Sequence, residues 1–375
     1  MNILISPQAF KGSISAIDVA NYIEKGINKA NPNITTTKIP VADGGDDTLE
    51  TLVSITNGQI YNTKATGPDG TKISTSWGAL GDNKTAVIEM AKISGLALLN
   101  GNIKDPKNYT TYGLGEIIKE CLDLSYSKFI IGIGGSATND GGAGMAQALG
   151  ANLFDNKKKE IKRGSIGLKN LKSINLTNLD QRIKNCEFLV ACDVNNPLHG
   201  PNGATFTFGP QKGFNDKDLC EFDKYMKNYG DLIDINSGYE ISKVPGSGAA
   251  GGLGAGFMFF VNGTLKSGSQ IILDYINFES QCKNTDIVIT GEGQIDFQTI
   301  NNKAPIAVAR IAKKHNIPTF AICGVLGKDF EKVYSEGIEK VYPICKNESE
   351  KEYAISNASK LIEKTAYDLI KQNFI

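Results

Sequence analysis

The chain has 375 residues, 41% of them hydrophobic, and its 40 Lys plus Arg balance its 40 Asp plus Glu. That length suggests about two or three domains with ample core, and zero formal net charge argues against nucleic acid or an anionic membrane as a partner. Seven cysteines, an odd number with no Cys-x-x-Cys pair, argue against a zinc site or a disulfide framework and fit free thiols in a reducing cytoplasm. The N-terminus enters an apolar run at Ile3-Leu4-Ile5, so no signal peptide is expected, and no span long enough to cross a membrane is present. His199 and His315 are the two histidines, which disfavours chemistry built on imidazole.

Residues 2–5 are predicted as a strand, followed by Pro7-Gln8-Ala9-Phe10-Lys11-Gly12. Ser15 and Asp18 have capping-box spacing, and Ala16, Ala20, Ile23 and Ile27 line one face, which predicts a helix over 15–29. Residues 35–41 alternate as a strand and run into Ala42-Asp43-Gly44-Gly45, and a helix is expected over 48–55. This β-α-β-α opening marks a parallel sheet with helical crossovers. Residues 59–90 read instead as short strands with hairpin punctuation at Gly67-Pro68-Asp69-Gly70 and Gly81-Asp82-Asn83. Thr110-Thr111-Tyr112-Gly113-Leu114-Gly115 leads into a predicted helix to about Leu122, and 150–185 lacks periodicity. Phe188 to Cys192 reads as a strand ending in Asp193, and Phe206 to Gly213 as a turn. From Asp286 the α/β alternation returns: strands at 287–290, 319–323 and 341–344, a helix over 304–314, and a last helix over 350–371 whose start pairs Ser349 with Glu352 as a capping box.

The N-terminal piece has about two strands, too few for a sheet of its own. The expected architecture is therefore α/β, with residues 1–60 and 285–375 forming one discontinuous domain and residues 61–284, of different texture, inserted between them.

The most informative stretch lies inside the insertion. Phe129-Ile130-Ile131 reads as a buried strand and 143–149 as a helix. Between them stand Gly132, Gly134, Gly135, Ser136, Thr138, Asn139, Asp140, Gly141 and Gly142. Glycines let a backbone approach a ligand closely, and exposed N–H groups at such a turn favour phosphate. Gly132-x-Gly134-x-x-Ala137, with Asp155 downstream, fits a relaxed dinucleotide fingerprint, and a second match at Gly246-x-Gly248-x-x-Gly251 lacks a preceding strand. No G-x-x-x-x-G-K-[ST] occurs, which excludes an ordinary P-loop. The plain alternative is a tight turn that binds nothing.

Asp43, Asp193, Glu292 and Asp296 each follow an apolar strand candidate, where ligands of open α/β sheets collect. Carboxylates beside a phosphate loop suggest Mg²⁺, with one further acid taking a proton from an attacking hydroxyl. Lys11 could neutralise developing phosphoryl charge. Each acid also has a bland reading: Asp43 before Gly44-Gly45 is a common turn, and Asp193 before Asn195-Asn196 suits an Asx turn.

Taken together, Phe10-Lys11-Gly12-Ser13, Val41-Ala42-Asp43-Gly44-Gly45, Ala86-Val87-Ile88-Glu89-Met90-Ala91, Thr110-Thr111-Tyr112-Gly113, the 132–144 loop, Ala191-Cys192-Asp193-Val194, Phe208-Gly209-Pro210-Gln211-Lys212-Gly213, the 248–256 segment and Thr290-Gly291-Glu292-Gly293 with Asp296, Gln298 and Thr299 resemble the bacterial type I glycerate kinase family over nearly the whole chain. The resemblance implies a flavodoxin-like domain made from both chain ends with an inserted α/β domain. It implies phosphorylation of D-glycerate by ATP with Mg²⁺, most expectedly at the 2-hydroxyl. The residues it marks are Lys11, Asp43, Asp193 and Asp296 for catalysis, Asp193 and Glu292 for metal, and the 132–142 loop for nucleotide. It also implies a monomer or homodimer acting on a small molecule. One departure falls at Gln8-Ala9, where the family usually has Asp-Ser, and it is expected to change substrate recognition. Two other readings stay open: a non-catalytic metabolite-binding protein on the same fold, and an NAD-dependent oxidoreductase, which would lack a His or Lys–Tyr catalytic pair.

Overall fold

The computed structural model describes residues 1–45, 47–101, 103–300, 303–345 and 350–375. In chain order the strands are β1 (Asn2–Pro7), β2 (Thr35–Lys38), β3 (Gln59–Thr66), β4 (Lys72–Ala79), β5 (Thr85–Glu89), β6 (Lys128–Gly132), β7 (Asn152–Phe154), β8 (Ser173–Asn175), β9 (Glu187–Ala191), β10 (Thr264–Lys266), β11 (Ile287–Ile295), β12 (Thr319–Leu326) and β13 (Ile338–Pro343). They fall into two compact units, Met1–Asp43 with Ser269–Ile375, and Gly44–Gly268.

The first unit is a five-stranded parallel sheet in the order β13-β12-β11-β1-β2. Renumbered within the unit this is the flavodoxin-like order 2-1-3-4-5, whose strand order reverses between β1 and β11. Period-two alternation assigns the two faces. Ile3, Ile5, Ile287 and Ile289 pack with Val19, Ile23 and Ile27 of helix Ala16–Ala30 and with Ile362, Ala366 and Leu369 of helix Ala358–Phe374. Leu4 and Val288, on the opposite face, pack with Val308 and Ala312 of helix Ala304–Lys314, and with Leu273 and Phe278. The expected cap is present: Ser15 Oγ accepts from the Asp18 N–H at 3.1 Å. The last helix, expected as one, is broken into Lys351–Ser356 and Ala358–Phe374. Asn357 between them has φ −118° and ψ 19°, and its Nδ2 donates to Tyr353 O at 3.0 Å, a local bond that competes with the helix. Ser349, expected to cap this helix, lies outside the described residues.

The second unit carries a six-stranded sheet in the order β10-β9-β6-β5-β4-β3. Neighbours β10, β9, β6 and β5 run parallel, while β5-β4-β3 is an antiparallel meander that matches the hairpin texture of 59–90. Trp77 of β4 is fully buried and stacks on Tyr61 of β3 with centroids 4.5 Å apart. The aperiodic stretch yields the two-stranded β7-β8 sheet. Helix Thr48–Ile55 belongs to this unit, because Leu49 and Val53 fill the space over Gly78 of β4 and the Leu49 N–H donates to Glu89 Oε1 at 2.9 Å. At the other end Leu273, Phe278 and Cys282 join the core of the first unit. The divisions consequently fall at Asp43/Gly44 and Gly268/Ser269, not at 60 and 285.

A 22-residue helix, Asp216–Ser237, was not anticipated; it buries Leu219, Phe222, Met226, Tyr229 and Ile233 at alternating three- and four-residue spacing. Cys121, Cys282, Cys323 and Cys345 are buried. Among the described residues no helix is long and apolar enough to cross a membrane.

Candidate active site

In the first unit a cleft of about 600 Å³ opens where the strand order reverses, lined by Gln8, Lys11, Asp43, Glu292, Asp296 and Lys303 among others. The register explains the grouping. Pro7 pairs with Gly291, the last pair of β1 with β11, so Gln8 leaves the sheet beside Glu292, which continues in β11 against Cys323 of β12, and the Gln8 N–H donates to Gly291 O at 2.7 Å. Lys11 is exposed and Asp43 half-buried.

Glu292 is the most perturbed group here. It is 5% exposed, Thr299 Oγ1 donates to its Oε1 at 2.7 Å, and Lys303 Nζ donates to its Oε2 at 3.3 Å. Burial pushes its carboxyl up to about 7; Lys303 and the Thr299 hydroxyl oppose the rise, and the negative Asp43 adds to it. Asp296 works differently. Its carboxylate accepts from Gln294 Nε2 and the Gln298 N–H, both at 2.8 Å, and its own N–H donates to Thr299 Oγ1 at 3.1 Å. Asp296 therefore shapes the turn that aims Thr299 at Glu292. Gln8 Oε1 is buried with no hydrogen-bond partner among the described residues.

The second unit holds the glycine loop. Gly132 ends β6 in register with Glu89 of β5 and Ala191 of β9, and the Gly44 carbonyl fills the space a side chain there would need. Gly134 and Gly135 are exposed, whereas residues 136–142 are buried. The outward-facing part of the predicted loop is thus short, and Ser136, Thr138, Asn139, Asp140, Gly141 and Gly142 form its framework.

Asp140 Oδ2 accepts from the N–H groups of Thr111 and Gly144 at 2.9 and 3.3 Å, Oδ1 accepts from the Gly142 N–H at 3.1 Å, and Thr111 Oγ1 reaches both oxygens. Burial raises its pKa and these donors pull it back. Asn139 Nδ2 donates to Thr205 Oγ1 at 3.0 Å, and Tyr229 Oη donates to Gly141 O at 2.7 Å. Lys212 Nζ, fully buried, donates to Ser136 Oγ at 2.8 Å and Thr138 O at 2.7 Å. Burial lowers its pKa to about 7, against the pull of Asp140.

Asp193 follows β9 on an exposed loop, with Oδ2 accepting from the Gly268 N–H at 3.4 Å. Asp155, the acid a dinucleotide site would need, caps a turn by accepting from the N–H groups of Lys157 and Lys159 at 2.8 and 2.9 Å. The helix after the loop, Ala143–Ala148, has six residues. The second glycine-rich match is a kinked helix, Ala249–Val261, packed against the first loop: the Gly141 N–H donates to Gly251 O at 2.9 Å. Glu89, Thr111, Lys212 and Tyr229 were not among the expected site residues. The first three lie in recognisable motifs, while Tyr229 was legible only as one apolar position of the unread helix.

Among the described residues no cluster of three or more His, Cys, Asp or Glu could hold a metal ion. A kinase site needs only one or two carboxylates for Mg²⁺ alongside phosphate oxygens and water. An exposed carboxylate such as Asp193 suits that ion. The two oxygens of Glu292, the other acid expected to hold it, accept from Thr299 and Lys303.

The sequence profile described as the Glycerate kinase family matches residues 3–373. The chain is 44% identical to a glycerate kinase of Bacillus subtilis strain 168, over 98% of this chain and 97% of the relative. It is 45% identical to a glycerate 2-kinase of Escherichia coli K12, over 92% of this chain and 90% of the relative. A crystal structure of a Salmonella typhimurium LT2 protein, provisionally named glycerate kinase 2, superposes with a TM-score of 0.91 at 41% identity, covering 99% of this chain and 98% of that one. The fold, the site and these similarities define a kinase, a phosphotransferase with an alcohol group as acceptor. More narrowly, the chain belongs to the glycerate kinase family.

Proposed function

We propose that the protein transfers the γ-phosphoryl group of ATP to the 2-hydroxyl of D-glycerate, giving 2-phosphoglycerate and ADP. The observation that carries the reading is the cleft at the strand-order reversal, where a carboxyl poised near neutrality, Glu292, stands among the cations Lys11 and Lys303. Phosphoryl transfer asks little covalent chemistry of a protein; it needs positioning, charge neutralisation and a proton acceptor for the attacking hydroxyl.

Glu292 suits the acceptor role, because a base works best when its pKa lies near the working pH. As the glycerate oxygen bonds to the γ-phosphorus, its proton passes to Glu292 and the bond to the β–γ bridging oxygen breaks, releasing ADP. Lys11 neutralises the equatorial phosphoryl charge. Burial keeps the Glu292 pKa high, with a smaller push from Asp43, and Asp296 positions Thr299. Backbone N–H groups of Gly134 and Gly135 receive the nucleotide phosphates. Asp193 is the carboxylate that would hold Mg²⁺, which would supply positive charge against the phosphates. The protein acts in the cytoplasm on small molecules, as a monomer or homodimer.

Gln8 and Ala9, in place of Asp-Ser, favour a second reading in which the fold binds a metabolite without turning it over. Coupled measurement of ADP release decides between them. D-glycerate should drive ATP turnover above all other members of a panel of small hydroxy acids, and a panel with no turnover would leave only the binding reading.

A further inference from the structure

Lys212 occupies a site of a kind lysines rarely take. It ends a short turn, Pro210–Lys212, with 1% of its surface exposed, and its amine bonds to two neutral oxygens, Ser136 Oγ and Thr138 O, both in the glycine loop. Burying an amine this way is unfavourable unless the position itself is needed. The same loop leaves Thr138 Oγ1 and Asn139 Oδ1 buried without a hydrogen-bond partner among the described residues, so its polar framework is incomplete as it stands. The two anchored residues lie one and three positions beyond Gly135, the second of the two exposed glycines.

We propose that Lys212 is the positioning residue of the nucleotide loop: its amine fixes the peptides behind Gly134 and Gly135 for phosphate and becomes the counter-charge to that phosphate once it is bound. This rests on the reading of the loop as the phosphate-binding element.

The charges around Lys212 give the direction of the coupling. Asp140, from the loop, favours the ammonium, while burial disfavours it and leaves the group titrating at about 7. Tyr229, from the long helix, is pushed well above its ordinary pKa by burial and stays neutral. Asp218 at the start of that helix is paired with Lys107 at 2.7 Å. A phosphate in front of the loop would stabilise the ammonium, so nucleotide binding takes up a proton near neutrality, and affinity falls as pH rises through that range.

The test is ATP binding by calorimetry to the full-length protein in two buffers of different ionisation heat, for wild type, Lys212→Met and Ser136→Ala. Lys212→Met should weaken ATP binding by about tenfold or more, the scale of a lost charge-assisted bond. It should abolish the proton uptake and leave KM for glycerate within about twofold, on the ground that the loop serves the nucleotide. Ser136→Ala, which removes one acceptor and keeps the amine, should give a smaller loss with proton uptake retained. Wild-type affinity and proton uptake in Lys212→Met would overturn the proposal. So would losses in ATP binding, glycerate KM and melting temperature that rise together, since those mark a merely structural lysine. If Lys212→Met does not fold, wild type without proton uptake overturns it. A wild type that turns over glycerate but gains no affinity from the loop, tested with Gly134→Val, contradicts the loop reading itself.

Discussion

Glu292 titrates at about 7 in the folded chain and near its ordinary 4.5 when unfolded. Between those values the folded state holds a proton that the unfolded state has lost. Stability therefore falls as pH rises from about 4.5 to about 7 and stays low above that. Glu292→Gln keeps an oxygen for the Thr299 hydroxyl and removes the charge. It should raise stability at pH 8, by up to about 3 kcal/mol, and leave it little changed at pH 4. Calorimetric melting at both pH values checks this, and an equal effect at both would contradict the assigned pKa. The same variant should lose about a hundredfold or more in kcat if Glu292 takes the hydroxyl proton. Asp193→Asn separates a turn residue from a chemical one at nearly constant shape. On an exposed loop its melting temperature should hold, while kcat falls about a hundredfold or more, as expected for a charge-stabilising group. A kcat within a few-fold of wild type at saturating Mg²⁺ would return Asp193 to the role of capping its turn.

The glycine loop owes its shape to the elements behind it. The kinked helix Ala249–Val261 brings Gly251, at φ +71°, against the Thr138 carbonyl, where any Cβ would overlap backbone. Gly251→Ala combines that overlap with an unfavourable left-handed backbone and should destabilise by about 2 kcal/mol or more. Denaturant titration measures it, and a neutral result would mean that the two glycine segments do not depend on each other. How much of this was legible varies by element. The β-α alternation, the hairpins of 59–90, the Ser15 cap and the strand–loop–helix order at 129–150 follow from local periodicity and turn chemistry, and the structure has them. The spacing of Leu219, Phe222, Met226, Tyr229 and Ile233 was equally readable, but the many acids and lysines between them mask it. The kink at Ala250 was not readable, since left-handed alanine arises from tertiary packing that no local rule signals. Nor was the partnership of Lys212 with Ser136, 76 residues away in sequence. A lysine within Gly209-Pro210-Gln211-Lys212-Gly213 looks like solvated turn until the fold buries it.

Both ends of the chain contribute strands to one flavodoxin-like sheet, with β1 hydrogen-bonded between β2 and β11. The β1 exit at Gln8 and the Glu292 position of β11 meet only because the chain returns after the insertion, which is why each could be placed beside a strand from sequence but not beside the other. We propose that the two chain ends fold as one cooperative body. Residues 1–60 hold only β1 and β2 of that sheet, and their helix Thr48–Ile55 packs on strands beyond the cut. That fragment should be disordered by circular dichroism, and a cooperative thermal transition from it would contradict the proposal. The whole protein is most directly tested by ³¹P NMR of a mixture of protein, ATP, Mg²⁺ and D-glycerate. The account predicts that the γ-phosphate signal gives way to a phosphomonoester coupled to the single proton on C2, the signature of 2-phosphoglycerate. A phosphomonoester coupled to the two protons on C3 would contradict the assigned hydroxyl, and an undiminished γ-phosphate signal would contradict the kinase reading itself.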